Sequence, residues 1–252
     1  VAGADIGVFI DKSADALERL ANDNMAVFTA LEDLPVPVVS VIDGFALGGG
    51  NELAISTHYR IVTENAALGQ PEVKLGIIPG YGGMQRLPRL IGPRQAAELA
   101  VNGESVSADE AVRIGLASER HPSGSALARA FVVARELAAE RRPLAPDWDA
   151  LARTQADELA ELLADPTVKD LLAAPAPEAG DAGDLVAARR YAARIALEAL
   201  RDGYDLPFAD GLANDARLFG HVVASPSGQW WSGRFLAKDP AQSSFLTQLE
   251  GS

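Results

Sequence analysis

Cysteine is absent from all 252 residues, which excludes disulfides, thiolate metal sites and cysteine nucleophiles together. The three histidines, His58, His121 and His221, are scattered and fit no HExxH or related metal spacing. There is no G-x-S-x-G nucleophile elbow, no G-x-x-x-x-G-K-[ST] phosphate loop and no spaced G-x-G-x-x-G fingerprint. No run approaches the roughly 18 uninterrupted apolar residues of a membrane span. The start also lacks the basic, apolar, small-residue succession of a secretory signal. Positive charge is scarce: 22 Lys and Arg against 35 Asp and Glu leave a net charge of −13, and such a surface repels phosphate backbones. These absences lead us to expect no metal, no nucleic-acid partner, no membrane association and a cytoplasmic protein.

What is present is ordinary for a globular chain, with 48% hydrophobic and 23% charged residues and enough length for one large domain or one domain plus an appendage. Leu17, Ala21, Met25, Phe28 and Leu31 recur at spacings of three and four and predict a helix over 13–34. After Pro35 and Pro37, the β-branched VVSVI (38–42) predicts a buried strand, and YRIVT (59–63) another. Between them a glycine cluster leads into a short helix. The segment 69–83 reads as loop, crowded with glycine and proline around Glu72. QAAELAV predicts a helix stopped by Gly103, and SADEAVRIG a second one, with Ser107 as N-cap and Glu110 three residues on. Strand–helix alternation of this kind predicts an α/β architecture. After Pro143 the composition shifts. Residues 149–172 read as acidic helix, 175–184 as a Pro/Ala/Gly linker, 185–202 as helix, and GLANDARLFGHVVAS as a final helix with Leu212, Ala216, Phe219 and Val223 on one face. There is no internal repeat.

Gly48, Gly49 and Gly50 run into a helix predicted to begin at Asn51. Glycine lets a ligand approach the backbone, and the first N–H groups of a helix lack internal partners, so this turn suits an anion or a developing oxyanion. A bare strand-to-helix turn serves equally well. Glu52, taken alone, compensates a helix dipole, and Glu72, taken alone, is a solvated loop carboxylate.

Taken together and in order, AGADI (2–6), PVVSVIDGFALGGGNELA (37–54), GQPEVKLGIIPGYGGMQRLPRLIG (69–92) and SADEAVRIGLASE (107–119) resemble the successive signature blocks of the enoyl-CoA hydratase/isomerase, or crotonase, superfamily. The similarity runs from residue 1 to about 138 and resumes over roughly 195–238. It implies an α/β fold with a crotonase-like ββα spiral core and a C-terminal helical module. It also implies hydration of a 2-enoyl-CoA thioester to a 3-hydroxyacyl-CoA, with no cofactor beyond the coenzyme A of the substrate. By motif position the resemblance gives Glu52 and Glu72 as the acid/base pair and the backbone amides of Ala4 and Gly49 as the oxyanion hole. Ala2, Gly80, Phe235 and Lys238 fall at substrate contacts, with the Ala2 carbonyl on the adenine. Members of the family form trimers, often stacked as hexamers, so a homotrimer or a dimer of trimers is implied here. Isomerases of the family typically keep only the second glutamate, so the presence of both favours hydration. An isomerase, or a non-catalytic scaffold, is the alternative.

The chain also departs from the pattern. A lysine often follows the AGADI turn, and here the residue is Gly7. Tyr81 stands where the family frequently has a small residue, which reshapes the acyl pocket. We divide the chain into a core over 1–142 lacking its first strands, an acidic helical insertion and linker over 143–194, and a C-terminal lid and trimerisation module over 195–252. The strands that family members carry upstream are not in this sequence: either it is a fragment of a longer chain or, were they physically absent, an exposed apolar sheet edge is expected. Trp230, Trp231 and Phe235 read as interface or lid aromatics, and for the two tryptophans intrachain core packing serves equally well.

Overall fold

The computed structural model describes residues 3–140, 143–177 and 183–237. A short 3-10 turn over Ile6–Phe9 leads to Ser13, whose Oγ accepts from the Ala16 N–H at 3.3 Å and opens α1 (Ala14–Glu32). The spacing of three and four puts Leu17, Ala21 and Met25 on the buried face of this helix. Next come β1 (Val39–Ile42), β2 (Phe45–Leu47) and α2 (Gly49–Ile55). The pattern then repeats as β3 (Tyr59–Val62), β4 (Ala67–Gly69), a 3-10 turn over Pro71–Leu75 and α3 (Gly83–Ile91). Two strand–strand–helix units therefore follow one another. Their first strands pair in parallel, with Val39 opposite Tyr59, and their second strands pair in parallel in a separate sheet, with Phe45 opposite Ala67. Each unit thus steps from one sheet into the other before its helix.

α4 (Pro93–Asn102) leads to β5 (Ser105–Ser107), antiparallel to β4, and then to α5 (Ala108–Arg113) and β6 (Glu119–Arg120), parallel to β3. Ser107 caps α5 as its sequence predicts, accepting from the Glu110 N–H at 3.4 Å. The sheets run β1-β3-β6 and β2-β4-β5, which leaves β1 and β2 as outer strands with Val36 and Phe45 exposed beside them. α6 (Ser123–Glu140) covers the first sheet, packing Ala126, Ala130, Val133 and Leu137 on Ile61 and Tyr59. His58 is structural: its Nδ1 accepts from the Val38 N–H at 2.8 Å and its Nε2 donates to the Glu32 carbonyl at 2.7 Å, tying the end of α1 to the start of β1.

The helical second half bears out the helix expected over 149–172, in three pieces, and differs in two other respects. The acidic stretch is three helices, α7 (Trp148–Thr154), α8 (Ala156–Ala164) and α9 (Pro166–Leu172). Their Ala152, Leu159, Leu162 and Val168 enter the same hydrophobic core as α1, so a narrow apolar stripe outweighs the acidic composition. The division drawn at 194/195 cuts α10 (Leu185–Gly203), one continuous helix in which Ala188, Tyr191 and Ala192 are buried on one side of that point and Ile195, Ala196 and Ala199 on the other. α11 (Phe208–Ala224) buries Leu212, Ala216, Phe219 and Val223 as predicted, but it is followed by a further helix, α12 (Pro226–Leu236). Of the expected linker, residues 178–182 lie outside the described residues. Among the described residues no helix is long and apolar enough to cross a membrane.

Candidate active site

At the end of β2 the chain turns through Gly48 at φ 56° and ψ −126°, a conformation that side chains resist. With the turn made there, α2 starts at Gly49, two residues before the predicted Asn51. Propensity alone places glycine outside a helix, and the tertiary turn overrides it. The Gly49 N–H therefore lies in the first helical turn, where no internal acceptor exists. Neither it nor the Ala4 N–H has a hydrogen-bond partner among the described residues. The two are neighbours: a Cβ added to Gly49 would stand 3.5 Å from the Ala4 nitrogen.

Glu52 leaves the same helix and reaches across to the start of α3. Its Oε1 accepts from the Tyr81 N–H at 2.7 Å and the Gly83 N–H at 2.8 Å. Gly82, left-handed at φ 92°, sits between those two residues and turns both amides toward one oxygen. The carboxyl thus sits at the positive end of α3 and is only 2% exposed. Glu72 comes from the 3-10 turn after β4 and is half-buried, not solvated on a loop. The Gln70 side-chain amide, oriented by its hydrogen bonds, donates to the two Glu72 oxygens at 3.1 and 3.2 Å. Glu72 also presses on the glycine turn, since a Cβ at Gly48 would lie 2.8 Å from its Oε1.

Burial raises the pKa of both glutamates. Glu52 is pushed up to about 7, against the pull of the Tyr81 and Gly83 amides and of Arg86. Glu72 is held well above the carboxylate range by burial and by the charge of Glu52. Two such groups cannot both ionise readily, so as pH rises the pair loses one proton well before the other. The backbone donors and Arg86 favour the ionised form of Glu52, which leaves the proton on Glu72. Tyr81 is pushed up to about 12 by burial and by both glutamates.

Ala4, Gly49, Glu52, Glu72, Gly80 and Phe235 all line one cavity of about 800 Å³, its mouth included. Its other walls are largely apolar. Phe9 and Phe219 meet edge-on at 5.4 Å, Tyr81 stands 6.3 Å from Phe219, and Phe28 backs Tyr81 at 6.0 Å. Ala2 and Lys238 lie outside the described residues. Trp231 is buried with Trp230 edge-on to it at 4.5 Å, whereas Phe235 opens onto the cavity.

Residues 1–164 match the family model described as enoyl-CoA hydratase/isomerase. The chain belongs to the enoyl-CoA hydratase/isomerase family. The chain is 48% identical over 119 residues to crotonyl-CoA hydratase of Syntrophomonas wolfei, covering 47% of this chain and 46% of that protein. It is 35% identical over 232 residues to fatty acid oxidation complex subunit alpha of Idiomarina loihiensis, covering 90% of this chain and 31% of that protein. The matched regions therefore span about half of the first relative's length and about a third of the second's. Among solved structures, a carnitinyl-CoA dehydratase from Mycobacterium thermoresistibile superposes with a TM-score of 0.67 at 26% identity, over 93% of this chain and 72% of that one. An enoyl-CoA hydratase from Bacillus anthracis gives 0.51 at 28% identity, over 94% and 73%. The fold of the chain is accordingly α/β and crotonase-like, with C-terminal helices.

Several residues around the site escaped the sequence reading. Gln70 grips Glu72, and Arg86 is fully buried behind the Glu52 loop. Gln85 donates to Asp215 at 2.7 Å and accepts from Arg89 at 2.7 Å, anchoring α3 to α11. Arg86 and Arg89 lie in the third signature block, but nothing in the letters says that these charges are buried.

The raised pKa of Glu52 carries a stability consequence. Its folded value lies above the unfolded one, so the contribution is fully present below pH 4.5 and lost as pH rises through about 7. Each pH unit in that window removes up to about 1.4 kcal/mol. Glu52→Gln keeps an acceptor for both amides and has nothing to ionise. Thermal melts should therefore show the variant more stable than wild type at pH 8, with the gap closing toward pH 5.

Proposed function

We propose that the chain hydrates 2-enoyl-CoA thioesters to 3-hydroxyacyl-CoA, with Glu52 and Glu72 as the acid/base pair and the Ala4 and Gly49 amides holding the thioester oxygen. One observation carries this reading: the carboxyl groups of Glu52 and Glu72 line the same cavity as two backbone N–H groups that have no partner among the described residues. The Glu52 carboxylate takes a proton from water as its oxygen adds to C3. The C2=C3 electrons move into the thioester, whose oxygen becomes an enolate facing Ala4 and Gly49. The Glu72 carboxylic acid then protonates C2, leaving Glu52 protonated and Glu72 ionised. No cofactor beyond the coenzyme A of the substrate enters. Donors fixed in place before charge develops need no reorganisation, which makes this the largest expected contribution to rate.

The family match and the crotonyl-CoA hydratase relative support an acyl-CoA substrate. The retention of both glutamates favours hydration over isomerisation. Loss of the conjugated-thioester absorbance of crotonyl-CoA tests the reading, and no turnover of any enoyl-CoA would end it. The reading includes a cytoplasmic homotrimer or dimer of trimers, which light scattering on the purified protein checks.

Protonation also sets the pH profile. We expect kcat/KM to rise through about pH 7 as Glu52 ionises, and to fall once Glu72 gives up its proton. The acyl chain meets the wall of Phe9, Phe219 and Tyr81, so short enoyl chains should be preferred. Phe219 lies directly over Gly80, and Phe219→Ala removes that ring without touching a reacting group. A panel of enoyl-CoA chain lengths should then show the preference moving toward longer chains by about tenfold or more in kcat/KM.

A further inference from the structure

Glu32 closes α1, yet its side chain is buried, not solvated. Three donors converge on it. Arg86 gives its Nη2 at 3.2 Å and its Nε at 3.4 Å to Oε2, and the Trp148 Nε1 donates to Oε1 at 3.0 Å. Arg86 is itself wholly buried and also gives Nη2 to the Thr29 hydroxyl at 2.9 Å. Its guanidinium lies 5.2 Å over the Phe208 ring, and Trp148 stacks on the same ring at 5.4 Å. The remaining nitrogen, Nη1, has no hydrogen-bond partner among the described residues and lies where a Cβ on Gly82 would stand. Gly82 is the left-handed residue that aims the Tyr81 and Gly83 amides at Glu52.

We propose that Arg86, clamped by Glu32 and Trp148, is a positioning residue for Glu52, backing the Gly82 turn and setting the charge that Glu52 faces, and that supplying Trp148 is what the helical segment after residue 142 contributes to this site. The inference rests on the hydratase reading only for its kinetic readout.

A buried ion pair with a purely structural role would give a different signature, because charge has a sign. The groups facing Glu52 are Glu72 and Tyr81, Asp215 from α11 and Arg86 from α3. Around Glu32 stand Asp33, the residue that caps the end of α1, Arg60 on β3 and Arg86. Glu32 offsets the charge of Arg86. Removing Glu32 therefore exposes Glu52 to more positive charge, and removing Arg86 exposes it to less.

The experiment measures kcat/KM for crotonyl-CoA against pH in Glu32→Gln, Arg86→Gln, Arg86→Lys and Trp148→Phe. The carboxyl titration of Glu52 is followed in parallel by carbon-13 NMR, which needs no turnover. We expect Arg86→Gln to move the acid limb up by roughly half a pH unit or more. Glu32→Gln should move it down, Trp148→Phe down by less, and Arg86→Lys, which keeps the charge, should leave it in place. Shifts of one sign in both Arg86→Gln and Glu32→Gln, or lost activity with the limb unmoved in folded variants, would overturn the proposal. Should Arg86→Gln not fold, the downward shifts of Glu32→Gln and Trp148→Phe decide it. Opposed carboxyl shifts without hydration of crotonyl-CoA would sustain this inference while ending the hydratase reading.

Discussion

Glu52→Gln should bind crotonyl-CoA with little change in KM while kcat for hydration falls by about 10²- to 10⁴-fold, the usual worth of a positioned base. The glutamine carbonyl oxygen can take the place of Oε1 and accept from Tyr81 and Gly83, so the loop and the α2–α3 contact remain. What disappears is the lone pair that would receive the proton of water, and an amide cannot supply it. A loss confined to kcat therefore reports chemistry, not folding. The same variant separates the two activities of the family. Isomerisation that persists while hydration is lost would make hydration the Glu52-dependent step. Unchanged hydration would remove Glu52 from the mechanism.

The second large effect is expected at the turn into α2. Gly49→Pro deletes one N–H that faces the cavity, and losing one such donor typically costs about 3 kcal/mol, or 10²- to 10³-fold in kcat. Proline is well tolerated at the first position of a helix, where its missing N–H would have no internal partner. Gly48 before it is outside the right-handed helical region that clashes with a following proline. Gly49→Ala is the control. It keeps the N–H, and its Cβ would meet the Tyr81 ring at 3.4 Å, an ordinary contact. Most of the rate should survive in the alanine variant and collapse in the proline variant. Equal losses would assign the effect to crowding against Tyr81 and dismiss the oxyanion role of this amide.

Local signals carried well where they were complete within a few residues. Ser107 caps the helix it precedes, and the stripe Leu212, Ala216, Phe219 and Val223 is buried as its spacing demands. Such features depend on the period of one helix and on groups within a single turn. The failures are equally specific. The helix predicted from Asn51 begins at Gly49, because the Gly48 turn makes helical geometry available to two glycines that propensity would leave outside. The boundary at 194/195 followed a resemblance that resumed there, while the packing of α10 ignores it. The acidic composition of residues 149–172 gave no sign that Leu159 and Leu162 of α8 are buried in the core.

The order of the motifs, the acidic balance, the absence of cysteine and the identity of the two glutamates are properties of the linear chain. They fix the fold class and name the residues that can exchange protons. Only the folded chain brings Glu52 to the start of α3, lays Glu72 over Gly48 and encloses both in apolar walls. Burial and mutual charge then raise their pKa values, and these depend on distances between segments far apart in sequence. The buried pair of Glu32 and Arg86 is of the same kind, since a charged residue is written identically whether it ends in water or in the core.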